Sequence, residues 1–469
     1  MSADLTTPGR RAAGGGRGRF SLPAVLAVVL PLLTLLVLIP VHGRDTPEMT
    51  PQEPASASLG RADVGCPTAI AGSQRVLVAT TGDAEGRVQL LDPRDSGSKP
   101  KEEALAPGAT LDVRSRGPVL VSGTGAMAPG LLATRVGRGK LAALSCPIPQ
   151  PETWFTGLGA QSTHASTLEL VNPDTGPAVV DVDVWGASGP VQSSQVRGVA
   201  VPGRGVVRLE LAKSVPLRDL LGVRVAVTRG RVAASVEDTL HEVGAAAKRR
   251  EWVPAQTGPA ESAVLPGLVS GATSTLALTN PGEDEARVRV QVVGRGTFAP
   301  TAAREVRVPG GTTVGESLDW LRAELRRGDD SVALLVESTQ PVVSSLRTEV
   351  GDDLSVTAPA APLESQGAVA LPGRDRASLV LAGAESAGQV LVTVRDARGR
   401  ELASERLRVS AGTGTRVALP RRAAFVLVEV RNTTIQAAVE LTGPRGAAVV
   451  PLVEPPTEGL VPSVRSVLP

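Results

Sequence analysis

The residue types and spacing most suited to catalysis or ligand binding occur at Asp181, Asp183 and Trp185. They alternate with valines in the segment VDVDVW, and this alternation predicts a strand with all three side chains on one face. Neighbouring carboxylates on that face would lie about 6.5 to 7 Å apart, which overlaps the separation in inverting glycosidases. The same pattern is typical of a solvated strand face or of a ligand-binding surface. We favour the solvated face first, the binding surface second and catalysis last.

Other motifs for catalysis or metal binding are incomplete. Ser96–Lys99 has the S-x-x-K spacing of penicillin-binding enzymes without their S-D-N and K-T-G partners. The acid pairs Asp329–Asp330 and Asp352–Asp353 lack the spaced pattern of a calcium loop. The sequence contains no G-x-S-x-G elbow, Walker loop or H-E-x-x-H motif. We therefore predict a protein that is not an enzyme and holds no metal or cofactor.

The charge balance excludes a general binder of polyanions. The 469 residues include 49 Lys and Arg against 47 Asp and Glu, a net charge of +2. Such a balance provides no strong electrostatic field, so we expect no nucleic-acid partner. The length is enough for about three or four domains.

The N-terminal segment is predicted to cross a membrane once. Residues 22–41 are apolar and would span about 30 Å as a helix. The arginines of residues 1–21 predict a cytoplasmic N-terminus and an extracellular C-terminal region. A cleaved signal peptide ending near Gly43 is the alternative, and it leaves the same topology. Residues 42–64, rich in Pro, Ser and Ala, are predicted to form a stalk.

The chain has two cysteines, Cys66 and Cys146, both on the predicted exported side. An oxidising compartment favours a disulfide between them, which would close a loop of about 80 residues. The alternatives are a reactive thiol or a metal site. The three histidines show no metal-ligand spacing to each other or to the cysteines, so we favour the disulfide.

One sequence pattern occurs four times at intervals of roughly 90 to 110 residues. Each copy starts with an apolar strand, continues with an alternating strand and a V-x-V-P-G type edge, and ends with a block of two strands. The opening strands begin at Val76, Ser166, Ser274 and Ala377. Short helices are predicted at Leu318–Arg327, with Ser317 as N-cap, and at Ser214–Gly222.

Period-two alternation between turn residues predicts an all-β fold of four tandem immunoglobulin-like β-sandwich modules after one transmembrane helix. The Cys and Trp spacing of true immunoglobulin domains is absent. A four-bladed propeller is the alternative, disfavoured because about 100 residues is long for a blade. The predicted organisation is a basic cytoplasmic tail (1–21), the transmembrane helix (22–41), the stalk (42–64), the four modules (65–150, 151–256, 257–362 and 363–455) and a flexible tail (456–469).

Two openers carry a family resemblance: STLELVNP from Ser166 and STLALTNP from Ser274, with CPIP from Cys146 and Trp154 just upstream of the first. In these motifs the chain resembles an uncharacterised family of actinobacterial secreted or single-span envelope proteins, classed as a domain of unknown function. The resemblance covers most of the exported region, although the fourth opener has AGA in place of Asn-Pro. It implies export, and it implies no activity and no catalytic residue.

Together these observations predict a membrane-anchored, extracytoplasmic, non-enzymatic scaffold or accessory protein of the bacterial cell envelope. Its predicted partners are the membrane and another envelope protein, contacted by exposed strand faces and edges. The alternative is a cell-wall glycan-binding protein that uses Trp185 with Asp181 and Asp183. An envelope hydrolase is the third hypothesis.

Overall fold

A computed structural model describes residues 26–27, 29–34, 55–70, 72, 74–95, 97–137, 141–216, 218–241, 248–271, 273–300, 303–327, 331–373, 376–444 and 446–461. The chain divides into two units, one of residues 1–56 and 460–469 and the other of Ala57–Gly459. The described residues confirm the all-β class, with several sandwich-like pairs of sheets.

Little of the predicted membrane segment is described. Leu26, Ala27 and residues 29–34 are helical. Among the described residues, no helix is both long enough and apolar enough to cross a membrane. The remainder of 22–41, the basic tail 1–21 and residues 42–54 of the predicted stalk lie outside the described residues.

The first group of strands forms two antiparallel sheets. Its strands are β2 (Arg61–Cys66), β3 (Arg75–Thr80), β4 (Gly86–Leu91), β5 (Lys101–Leu105), β6 (Leu111–Arg114), β7 (Val119–Thr124), β8 (Leu131–Val136) and β9 (Ala143–Ser145). The sheet orders are β2–β7–β4–β5 and β6–β3–β8–β9. Alternate apolar residues of both sheets, among them Val64, Val76 and Val88, pack between the layers.

The ends of this region differ from the prediction. Arg61–Val64 belong to β2 rather than to the stalk, because they pair with β7 and bury Asp63 and Val64. The segment has one large apolar residue before Cys66, so its sequence shows no strand alternation. Strand β1 (Ala55–Ser58) also lies in the predicted stalk, and β35 (Glu458–Val461) lies in the predicted flexible tail. Residues 462–469 of that tail lie outside the described residues.

The second group forms one nine-stranded sheet that bends into two layers. Its elements are β10 (Glu152–Ala160), β11 (His164–Val171), β12 (Ala178–Gly186), β13 (Gly189–Pro190), β14 (Val199–Val201), β15 (Val206–Glu210), α1 (Leu211–Ser214), β16 (Arg218–Arg229), β17 (Ala233–Leu240) and β18 (Arg249–Val253). The bend lies in β10, which pairs with β16 along its length and with β11 at Ala160. Gly157 has a φ of 82° there, a conformation that favours glycine.

The third group forms an eight-stranded sheet around one long strand. Its elements are β19 (Ala260–Pro266), β20 (Thr273–Asn280), β21 (Ala286–Val293), β22 (Thr297–Phe298), β23 (Val306–Val308), β24 (Thr312–Ser317), α2 (Leu321–Arg327), β25 (Ala333–Val350) and β26 (Asp353–Thr357). The sequence predicts two strands where β25 is continuous. Its first part pairs with β19 and β21, and its second part with β20 and β26. Pro341 lies between these parts, so its missing N–H interrupts no ladder between described strands.

Both predicted helices need correction. α2 begins at Leu321, three residues later than predicted, and Ser317 ends β24. α1 ends at Ser214, where the second helix was predicted to begin. Pro216 disfavours helical conformation in the residue before it, and residues from Arg218 onward pair with β10 as part of β16. Strand pairing therefore overrides the local helical pattern.

The fourth group again forms two four-stranded sheets. Its strands are β27 (Gln366–Ala370), β28 (Arg376–Ala382), β29 (Gly388–Arg395), β30 (Glu401–Val409), β31 (Thr415–Ala418), β32 (Phe425–Arg431), β33 (Gln436–Gly443) and β34 (Gly446–Pro451). The orders are β27–β32–β29–β30 and β31–β28–β33–β34.

The four groups pack in a closed ring, with the last strand of each at the centre. β9 contacts β18, β18 contacts β26, β26 contacts β34, and β34 contacts β9. The ring closes because Leu77, Ala79 and Leu132 of the first group are buried in the core of the fourth. At one end of the centre, the segments that follow these strands line a cavity of about 240 Å³. The division into four immunoglobulin-like modules, with the boundaries given above, stays a prediction.

Candidate binding surface

Strand β12 presents the predicted site residues on one face. Val180, Val182 and Val184 are buried, and Asp181, Asp183 and Trp185 between them are half-buried. The two sets alternate because successive side chains of a strand point to opposite sides of the sheet. The structure thus places the three candidate residues on the side that faces away from the core of the second group.

Both carboxylates have partners within the second group. Asp183 lies 2.5 Å from Arg197 Nη2 and 3.5 Å from Arg224 Nη1. Asp181 Oδ1 accepts a hydrogen bond from the Gly198 backbone N–H at 2.7 Å. Each acid therefore holds a different neighbour, which fixes the strand against the loop before β14.

Trp185 stacks on a second tryptophan, Trp154 of β10. The ring centroids are 5.1 Å apart and the planes differ by 21°. Arg224 Cζ lies 5.9 Å from the centroid of the Trp154 ring, within cation–π range. Trp154 is buried, so Trp185 provides the more accessible indole of the pair. We call Glu152, Trp154, Asp183, Trp185 and Arg224 the tryptophan cluster.

Glu152 completes the tryptophan cluster by accepting two hydrogen bonds. Trp154 Nε1 donates to Oε1 at 2.6 Å, and Arg224 Nη2 donates to Oε2 at 2.5 Å. Burial alone would raise the pKa of Glu152, but these hydrogen bonds and the charge of Arg224 outweigh burial and lower it. Glu152 is therefore held as a carboxylate that orients both the indole and the guanidinium group.

Strand register explains why the sequence analysis missed most of this cluster. Trp154, Arg224 and Asp183 lie side by side on β10, β16 and β12. Within the cluster, Asp183 is close in sequence to Trp185 and Glu152 is close to Trp154, but the sequence pattern does not indicate that β10, β16 and β12 pair. The sequence singles out Trp154 as one of four tryptophans, but it does not indicate that Trp154 stacks on Trp185.

A buried Ser, His and Asp set lies where the second group meets the third. His164 Nε2 is 3.0 Å from Asp238 Oδ1, and Ser166 Oγ donates to the same oxygen at 2.6 Å. Arg347 Nη1 of the third group lies 3.1 Å from His164 Nε2. The serine hydroxyl is bonded to the acid rather than to the imidazole, so the set lacks the nucleophile-to-base contact of a catalytic triad. It joins the two groups through buried polar contacts.

A second buried polar set lies at the centre of the ring. Glu251 of β18 accepts a hydrogen bond from the Trp252 backbone N–H at 2.8 Å through Oε1. Asp353 of β26 accepts one from the Leu141 N–H at 3.0 Å. Burial, with the charge of Asp353 adding to it, raises the pKa of Glu251 well above its usual range. Glu251 Oε2 has no hydrogen-bond partner among the described residues.

A comparison with protein-family models identifies the family of this chain. Residues 118–420 match a family of unknown function, DUF5719. The chain belongs to this family. The matched range begins beside β7 of the first group and ends just after β31 of the fourth, so it includes the tryptophan cluster. No curated protein matches the chain.

DUF5719 membership confirms the expected resemblance to an uncharacterised family. The structure also confirms the disulfide between Cys66 and Cys146, which joins the end of β2 to the residue after β9. Cys66 lies outside the matched range, as do β2 to β6 of the first group.

Asp238→Asn is expected to destabilise this DUF5719 protein by about 2 kcal/mol at neutral pH. Burial opposes ionisation of Asp238, but His164, Arg347 and the Ser166 hydrogen bond outweigh it and lower the pKa of Asp238. At pH values above about 3.9, the ordinary pKa of aspartate, the lowered pKa of Asp238 stabilises the folded state. This contribution disappears as the pH falls through the pKa of Asp238 in the folded state.

Thermal unfolding of the natural protein and of the Asp238→Asn variant between about pH 2 and pH 7 tests this pH dependence. The difference in midpoint is expected to be largest at neutral pH and to shrink in acid. Asp219→Asn is the matched control, because the Asp219 side chain is 79% exposed and lies 3.9 Å from His164. Equal effects of the two substitutions would contradict the assigned role of Asp238.

Glu251→Gln is expected to stabilise the DUF5719 fold at neutral and alkaline pH, by about 1 kcal/mol. The raised pKa of Glu251 means that the folded state retains a proton that the unfolded state loses above about pH 4.3. The stability of the natural protein therefore falls as the pH rises from that value. The uncharged amide introduced by Glu251→Gln does not titrate, so the variant lacks this dependence of stability on pH. Unfolding midpoints at about pH 5 and pH 8 measure the effect, with the exposed Glu261→Gln as control. A gain that is the same at both pH values would refute the explanation.

Proposed function

We propose that this protein is a membrane-anchored, extracytoplasmic, non-enzymatic scaffold or accessory protein of the bacterial cell envelope. It acts through contacts with other proteins and needs no cofactor. Its four groups are tandem immunoglobulin-like modules, and residues 22–41 anchor it with the N-terminus in the cytoplasm. Its family is of the actinobacterial secreted or single-span type.

The closed ring is the observation that carries this proposal. Neighbouring groups share apolar cores and buried hydrogen bonds, such as the 2.6 Å contact between the hydroxyls of Thr156 and Thr279. Thr134 Oγ1 likewise accepts a bond from the Ala370 N–H at 3.3 Å where the fourth group meets the first. A ring held in this way keeps its outer faces in fixed relative positions, which favours a preformed contact surface. The disulfide supports export, because such bonds persist in oxidising compartments.

Proximity crosslinking of the full-length protein in native membranes tests the proposal. The crosslinked complexes are purified and the partners identified by mass spectrometry. The control fuses residues 1–64 to an unrelated exported domain, which keeps the predicted anchor and removes most of the ring. We expect a stoichiometric envelope protein with the full chain and none with the control. Recovery of cell wall alone, without a protein partner, would overturn the scaffold proposal.

The stacked Trp154–Trp185 pair favours binding of a cell-wall glycan as the second candidate function. The half-buried Trp185 ring could pack on a sugar face while Asp183 and Arg224 offer polar contacts beside it. Retention of the protein on purified cell wall is the measurement, with Trp185→Ala as the variant and Trp320→Ala of the third group as control. Loss in the first variant alone would support glycan binding, and retention by both would exclude this surface. Glycan turnover lost in Asp181→Asn and Asp183→Asn would instead indicate the envelope hydrolase.

A further inference from the structure

A cleft of about 490 Å³ lies where the first and fourth groups close the ring. Its volume is within the range of small-molecule sites. Both groups contribute residues to its walls, and five arginines and two aspartates are among them. The charged residues are Arg75, Asp112, Arg114, Asp396, Arg398, Arg400 and Arg422.

Strand register and two turns bring these side chains together. Arg75 of β3 pairs directly with Arg114 of β6, so both point to the side on which Leu77 packs against the fourth group. Arg398 lies in the turn between β29 and β30, and Arg422 in the turn before β32. Thr110 Oγ1 donates to the Ala424 carbonyl at 3.1 Å, which joins the two walls. The cleft is therefore built into the ring closure.

The described residues that line the cleft carry an excess of positive charge. Arg75 binds Asp112 at 2.7 Å and Arg400 binds Asp396 at 2.7 Å, and each of these pairs is neutral. The three other arginines form no ion pair with any described residue, and all are exposed: Arg114, Arg398 and Arg422. Three unpaired positive charges in one cleft repel each other and attract anions.

A buried donor gives a second indication of a ligand. Arg75 Nη1 is buried and has no hydrogen-bond partner among the residues that the structure describes, although Nε and Nη2 of the same side chain both donate to Asp112. Unsatisfied buried donors are rare because their desolvation costs about 1 to 3 kcal/mol. An anion between the two walls would supply acceptors for this part of the cleft.

We infer that this cleft binds a ligand with at least two negative charges, of the phosphate or diphosphate class. A guanidinium group can donate two parallel hydrogen bonds to the oxygens of a phosphate. Several guanidinium groups in one cleft favour a ligand that carries more negative charge than a single carboxylate. The whole chain has a net charge of only +2, so the attraction is confined to the cleft. This site goes beyond the proposed scaffold function and does not depend on it.

Calorimetric titration of the full-length protein in detergent micelles with inorganic pyrophosphate tests the inference. We expect a dissociation constant of about 1 mM or tighter. The triple variant Arg114→Gln, Arg398→Gln, Arg422→Gln is expected to bind at least about tenfold more weakly. The matched control, Arg421→Gln, removes a neighbouring exposed charge outside the cleft and is expected to keep the affinity.

A parallel titration with citrate at equal ionic strength separates phosphate chemistry from carboxylate chemistry. Equal affinity for citrate and pyrophosphate would overturn the assignment to phosphates. Equal pyrophosphate affinity in the natural protein and the triple variant would overturn the site itself, as would no measurable binding to the natural protein. The three arginines are exposed, so their replacement is expected to leave the thermal midpoint unchanged, and circular dichroism confirms folding before each titration.

Discussion

Replacing both Cys66 and Cys146 by alanine is expected to lower the free energy of unfolding by about 4 to 5 kcal/mol. The bond spans 80 residues of sequence, and a loop of that length removes much conformational freedom from the unfolded chain. It also joins the first strand of the group to β9, one of the four strands at the centre of the ring. Loss of the bond therefore weakens the first group and the contacts that this group makes.

Denaturant unfolding of the full-length protein measures the loss. Reduction of the natural protein is the first control, and the reduced protein is expected to be as stable as the double variant. Treatment of the double variant with the same reductant is the second control, and it is expected to leave the stability of that variant unchanged. Cys66 and Cys146 are both buried, so the natural protein is reduced under denaturing conditions and then refolded. A change below about 1 kcal/mol would show that the first group is held without the bond.

Trp252→Ala is expected to cost about 3 to 5 kcal/mol. Trp252 is 1% exposed, and it packs with Ile70, Ala142 and Leu144 of the first group although it belongs to the second. Removal of the indole leaves a cavity at the contact between two neighbouring groups of the ring. The loss thus combines apolar burial with a weakened contact between groups.

Thermal and denaturant unfolding of three variants separate these effects. Trp320→Ala removes a half-buried tryptophan from the core margin of the third group, and it is expected to cost less. The loss for Trp252→Phe is expected to lie between those of Trp320→Ala and Trp252→Ala, because Trp252 Nε1 has no hydrogen-bond partner in the described part of the chain that the substitution would remove. Equal losses for Trp252→Ala and Trp320→Ala would contradict a special role of Trp252 at the contact.

The sequence alone determined the features that depend on local pattern. The alternation of residues 178–186 appears in the structure as alternate burial along β12, because a strand facing a core on one side needs that period. The two cysteines could pair only with each other within this chain, so the disulfide followed from composition and predicted compartment. The all-β class followed from the same alternation repeated along the chain.

Only the tertiary structure decided which distant segments meet. β25 is one strand because partners on both layers extend it through Pro341, and Arg218–Gly222 are extended because β10 pairs with them. The Trp154–Trp185 stack, the closed ring and the arginine cleft all depend on register and packing between segments far apart in sequence. Periodicity reports which face of an element is buried, but it carries no information about the partner that buries it.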